Sequence, residues 1–99
     1  MLPRMSDVRY DDAMIGPCLL TFDGRILELF TARDGSKHRM IVGMLFVRVD
    51  EPNRHGRREI SFRAAPGSRG GGGFTVFLAA EQWPVVQPFV DEVKEATGQ

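Results

Sequence analysis

The chain has 99 residues, 42% of them hydrophobic, and its 13 basic and 13 acidic residues cancel to a formal net charge of zero. That length suits one domain with one core, and the charge balance argues against a dedicated nucleic-acid binder. A single cysteine, Cys18, excludes an internal disulfide and a multi-cysteine zinc site, and no apolar stretch reaches the roughly 18 residues of a membrane helix.

Charge is laid out unevenly: residues 24–69 hold ten basic side chains against five acidic ones, while both flanks are acidic. The first residues, MLPRMSDVRYDD, lack the apolar centre of a signal peptide, so a cytoplasmic location is expected. Residues 1–13 read as a polar lead-in or tail, with Tyr10 as its anchor, and residues 14–97 as the single domain. Pro17 lacks the donor that a central strand needs, so the first strand is placed from Cys18 to Phe22. Cys18 itself reads as a small buried hydrophobe.

Asp23-Gly24 is the strongest hairpin signal in the chain. Arg25 to Thr31 is the return strand, although Ile26, Leu27, Leu29 and Phe30 do not alternate and leave its inner face open. Asp34-Gly35 marks the next turn. Met40 to Val42 follows as a short strand. In Met44 to Asp50 the residues Leu45, Val47 and Val49 alternate with Phe46, Arg48 and Asp50. After a break at Glu51-Pro52-Asn53, the segment Arg57 to Ala65 puts Ile60, Phe62 and Ala64 on one face and Glu59, Ser61 and Arg63 on the other. Gly67 to Gly73 reads as a flexible hairpin tip. It lacks the Gly-Lys-Ser/Thr ending of a phosphate loop. Phe74 to Ala79 is the last strand.

The ending is helical. Val86, Phe89, Val90, Val93 and Thr97 make a stripe at helical period, Asp91, Glu92, Lys94 and Glu95 cover the other side, and Gly98 is the stop. Pro84 suits the first turn. Pro88 is expected to remove one backbone hydrogen bond and bend the segment, with Trp83 packed beneath its start. Burying Phe89 and Val93 contributes roughly 1.5–3 kcal/mol each, which a helix of about 15 residues needs because it is marginal alone.

Six strands and a terminal helix predict a mainly β (α+β) fold, a curved antiparallel sheet or small barrel of six to seven strands closed by one C-terminal helix. The hairpin Leu20-Thr21-Phe22-Asp23-Gly24-Arg25-Ile26, the segment Arg39 to Pro52, and the ending Phe74-Thr75-Val76-Phe77 with Gln87-Pro88-Phe89 carry a likeness. In order and spacing, the chain resembles a pleckstrin-homology-like (PH-like) domain of the small type found in high-GC bacteria. That fold has seven strands, and the resemblance puts the seventh in residues 38–44 or in the lead-in. It also implies a module that binds phosphoinositides, peptides or proteins.

For chemistry, His38 and His55 have no further His or Cys at ligand spacing, so no metal site and no cofactor is expected. The pairs Asp11-Asp12, Asp50-Glu51 and Asp91-Glu92 read as solvated charge, because adjacent side chains diverge. No serine or Cys18 stands in a nucleophile motif, so no catalytic residue is named and no enzyme is expected. Arg33, Lys37 and Arg39 in one loop, with His38, and Arg54, Arg57 and Arg58 in another, with His55, would bind an anionic headgroup or phosphate if the loops converged. Leu19, Phe46 and Phe77 are the candidates for an apolar interface. A non-catalytic interaction module, acting through protein contacts and self-associating through a sheet edge, is the expectation. Anionic lipid is the alternative.

Overall fold

A computed structural model describes residues 6–64 and 72–98. Seven strands form two antiparallel sheets: β1 (Ser6–Asp12), β2 (Gly16–Phe22), β3 (Ile26–Thr31) and β4 (Lys37–Ile41) in one, β5 (Leu45–Val49), β6 (Arg58–Ala64) and β7 (Gly73–Leu78) in the other. Helix α1 (Trp83–Thr97) closes the chain. The two sheets are not joined into a barrel. β4 and β5 follow one another through a single 3-10 turn, Val42–Met44, yet pair in different sheets.

The seventh strand lies in the lead-in. Ser6–Asp12 pairs along its whole length with Gly16–Phe22, so most of the expected tail is part of the domain. Pro17 belongs to β2, where it faces Asp11 across the edge pair. The inner face of β3, open from the sequence, is Leu27, Leu29 and Thr31. Leu45 and Val47 point inward as their alternation requires, with Val49 half-buried. The glycine stretch expected as a hairpin tip falls, up to residue 71, outside the described residues.

β7 crosses the four-stranded sheet from one edge to the other. At one end the His38 ring of β4 lies 5.9 Å from the Phe74 ring. At the other, the Ala13 amide, just past β1, donates to the Phe77 carbonyl at 2.9 Å. β1 and β4 are the two outer strands of that sheet, so the layers cross steeply. Between them lie Leu20, Phe22, Leu27 and Leu29 from one side and Ile60, Phe62, Val76 and Leu78 from the other.

The crossing leaves an open flank between β1 and β5, and α1 fills it with Val86, Phe89, Val90 and Val93, all buried. Two polar ties fix the helix along the free edge of β1. The Asp11 amide donates to Gln82 Oε1 at 3.4 Å, and Ser6 Oγ donates to Glu92 Oε2 at 2.6 Å. The lengths agree: Ser6 to Asp11 spans about 17 Å as strand, and Gln82 to Glu92 about 15 Å as helix. The helix therefore runs antiparallel to β1. It passes through Pro88 as one element. The Pro84 carbonyl loses its amide partner there, and because Pro84 and Pro88 are both exposed, water can replace it. Gly98, at φ +80°, ends the helix.

Gly73 is fixed by contact as well as conformation. Its φ is +148°, and a Cβ there would collide with the Phe62 carbonyl of the neighbouring strand. Gly73→Ala is expected to destabilise the domain by at least about 1–3 kcal/mol, the range for a strained backbone alone, as a lower midpoint in urea melts. An unchanged midpoint would mean that the β6–β7 register differs.

Candidate functional site

In the β3–β4 turn, Asp34 accepts hydrogen bonds from Thr31 Oγ1 and from the Ser36 amide at 2.9 Å. These donors hold its carboxyl at about 2, below the ordinary carboxylate value. The turn presents Arg33 to solvent. Lys37 and Arg39, on the outer face of β4, both reach Glu28 of β3, at 3.2 and 3.8 Å. Lys37 also lies 5.5 Å above the Phe30 ring. One carboxylate thus organises two cations.

The second segment is built on Asn53. Its Oδ1 accepts from the amides of His55 at 2.8 Å and Arg57 at 3.0 Å, turning the chain back into β6. Arg54 and Arg57 project into solvent. Arg54 Nε donates to His55 Nε2 at 3.3 Å. Arg58 has a different place from the one its sequence neighbours suggest. Its Nη1 donates to the Asp50 carbonyl at 2.9 Å, and its guanidinium lies 4.5 Å from the Trp83 ring centroid. It ties the β5–β6 connection to the start of the helix.

The two basic segments flank opposite ends of β7. His38 touches Phe74, whereas a Cβ on Gly56 would meet Ala80 at 3.2 Å. Six residue steps of near-extended chain run from Phe74 to Ala80, about 20 Å. The segment with Arg33, Lys37 and Arg39 therefore lies at one end and the turn with Arg54 and Arg57 at the other, rather than at one mouth.

The three apolar interface candidates also separate. Leu19, half-buried on the outer face of β2, pairs with Phe30 and borders a groove of about 560 Å³ shared with Pro17, Val85 and Gln82. Phe46 and Phe77 both face outward from the smaller sheet. Phe46 sits opposite Arg63 at one corner and Phe77 opposite Glu59 at the diagonal one.

What the fold assembles instead is an edge and a corner. Val42 donates to Arg25 at 2.7 Å and Thr31 to Ser36 at 3.0 Å, and both pairs follow the β3–β4 register. Alternation then turns the main-chain groups of His38 and Met40 toward β3 and those of Lys37, Arg39 and Ile41 outward. β4 is the last strand of its sheet among the described residues. Next to it, Ile41, Met44 and Phe46 are 59%, 43% and 46% exposed. These large apolar residues fall within six positions of one another, across the link between the sheets.

The feature sequence reasoning missed is Asp12. It is only 4% exposed. Oδ1 accepts from the amides of Met14 at 2.8 Å and Ile15 at 3.2 Å; Oδ2 accepts from the Phe77 amide at 3.0 Å and the Tyr10 hydroxyl at 3.1 Å. Burial, with Asp12 beside it, pushes the Tyr10 hydroxyl far above the usual tyrosine range and keeps it a donor. Burial also raises the Cys18 thiol. The signal was there: Val8, Tyr10 and Asp12 continue one alternating face. Asp11 alone is the solvated member of the pair.

Among the described residues, no group of three or more His, Cys, Asp or Glu side chains could hold a metal ion, and no helix is long and apolar enough to cross a membrane. No protein-family model matches the chain, and a comparison with curated proteins finds no match either.

Proposed function

We propose that the chain is a non-catalytic PH-like module of the cytoplasm that binds a protein partner through the edge of β4 and the apolar corner beside it. The observation that carries the reading is continuity. Lys37, Arg39 and Ile41 have outward main-chain groups with no strand partner among the described residues, and the exposed Ile41, Met44 and Phe46 follow in the chain. An open edge supplies hydrogen bonds to an added strand, and exposed apolar side chains that follow it in the chain supply burial. Four strands, three strands and a terminal helix, in that order, support the PH-like part.

A photo-cross-linking residue at Ile41 or Met44 tests it in a lysate of the source cell. Cross-linked protein is expected from those positions and not from Met14, which is exposed in the β1–β2 turn at the opposite edge of the sheet. Equal yields from all three would end the reading.

A second reading has its own observation. Arg54 and Arg57 are exposed and, among the described residues, have no acidic partner. Anionic vesicles would bind there with strong salt dependence, and Arg54→Ala with Arg57→Ala would remove the binding. Arg58 is left intact because it supports Trp83.

A further inference from the structure

We infer that the occupant of the β4 edge is an extended segment alternating acidic and apolar residues, and not a second copy of the chain. The inference rests on the proposed role of that edge and specifies its partner.

Three observations give the pattern. The outward main-chain groups belong to Lys37, Arg39 and Ile41, so an added strand pairs with those three residues. Side chains opposite each other across a ladder share a face. Partner residues opposite Lys37 and Arg39 therefore lie on the outer face beside two cations that share one carboxylate, Glu28. Partner residues opposite His38 and Met40 fall on the other face, beside half-buried Met40 and the Phe74 ring that His38 touches. The outer row selects carboxylates and the inner row selects apolar side chains. Opposite Ile41 and beyond it, the exposed Met44 and Phe46 extend the apolar preference.

The same geometry disfavours self-pairing, which the sequence had suggested. Two β4 strands paired antiparallel about Arg39 place Arg39 against Arg39. Sliding the register by two residues toward the turn places Lys37 against Arg39, and sliding it the other way avoids like charges but leaves Lys37 out and keeps only the two Arg39–Ile41 pairs. Like charges directly opposite are destabilising, and two copies bring four cations to two Glu28 carboxylates.

The test uses the full chain and a soluble peptide alternating glutamate and valine, followed by amide chemical shifts. Saturable shifts are expected at Lys37, Arg39 and Ile41, with affinity at least tenfold lower in high salt. Arg39→Pro removes one outward N–H without touching the β3 ladder and is expected to abolish binding. Lys37→Gln with Arg39→Gln should weaken the peptide at least tenfold; because it also takes both cations from Glu28, retention of the fold is read from unchanged amide shifts away from β3 and β4. If a peptide with glutamine in place of glutamate binds equally well at the same amides, the acidic preference is wrong and edge binding survives. Shifts mapping elsewhere, a concentration-dependent mass abolished by Arg39→Pro, or anionic vesicles competing for Lys37 and Arg39 while no peptide binds would each overturn the inference.

Discussion

Asp12→Ala is expected to destabilise the domain by about 2–6 kcal/mol. The figure comes from two buried donors, the Phe77 amide and the Tyr10 hydroxyl, left unpaired at about 1–3 kcal/mol each. The Met14 and Ile15 amides lie nearer to solvent and add less. Against a total stability of roughly 5–15 kcal/mol, the loss is large. Thermal melts should show a fall of roughly 10 °C or more for a domain of this size. Asp12 staples the β1–β2 turn to β7 across the two sheets, so the loss acts on the sandwich and not on one turn. Tyr10→Phe removes a single bond and is expected to cost about 1 kcal/mol. Asp11→Ala, on the opposite face of the same strand, should stay within about 0.5 kcal/mol of the parent. Equal melting of the Asp11 and Asp12 variants would show that the buried carboxylate is misplaced.

The contrast between these neighbours explains what was legible in the sequence. Strands with several apolar residues on one face announce themselves, and Leu45–Val49 and Arg58–Ala64 were readable for that reason. Ser6–Asp12 carries only Val8 and Tyr10 as apolar inward residues. The inward position that follows Tyr10 is a carboxylate, which hydropathy scores as surface. A buried polar group is recognised by its donors, and here one comes from β7, 65 residues away. Arg58 has the same character. Nothing local separates it from Arg57, yet Arg58 faces Trp83 from the start of β6 while Arg57 belongs to the Asn53 turn. Glu28, which sets the spacing of Lys37 and Arg39, sits in a strand whose apolar residues do not alternate. The edge of β4 was unreadable for a further reason: which strand ends a sheet is a fact about pairing, and periodicity describes only faces.

The helix lies at the other extreme, and Phe89→Ala tests how much of the fold depends on it. The cost is expected to be about 3–5 kcal/mol, the range for removing a buried phenylalanine side chain from a packed site. Phe89 sits among Val86, Val90 and Val93, under the flank where β1 and β5 do not meet. No strand can close that gap, because the two sheets cross there, so a cavity has little to collapse upon. Val85→Ala, one turn away with its side chain 55% exposed, is expected to change stability by no more than about 0.5 kcal/mol. The sharper question is whether the helix leaves alone. A 15-residue helix is marginal in isolation, and its release would uncover the inner faces of both edge strands. Loss of α1 and loss of the sheets are therefore expected as one transition. Trp83 is the single tryptophan and marks the helix start, so its fluorescence reports the helix while the amide resonances of β2 and β6 report the sandwich. The two melting curves should coincide in the parent chain and in Phe89→Ala. A fluorescence transition that precedes the other would mean that α1 is a detachable lid, and the flank between β1 and β5 would then be a second surface open to a partner.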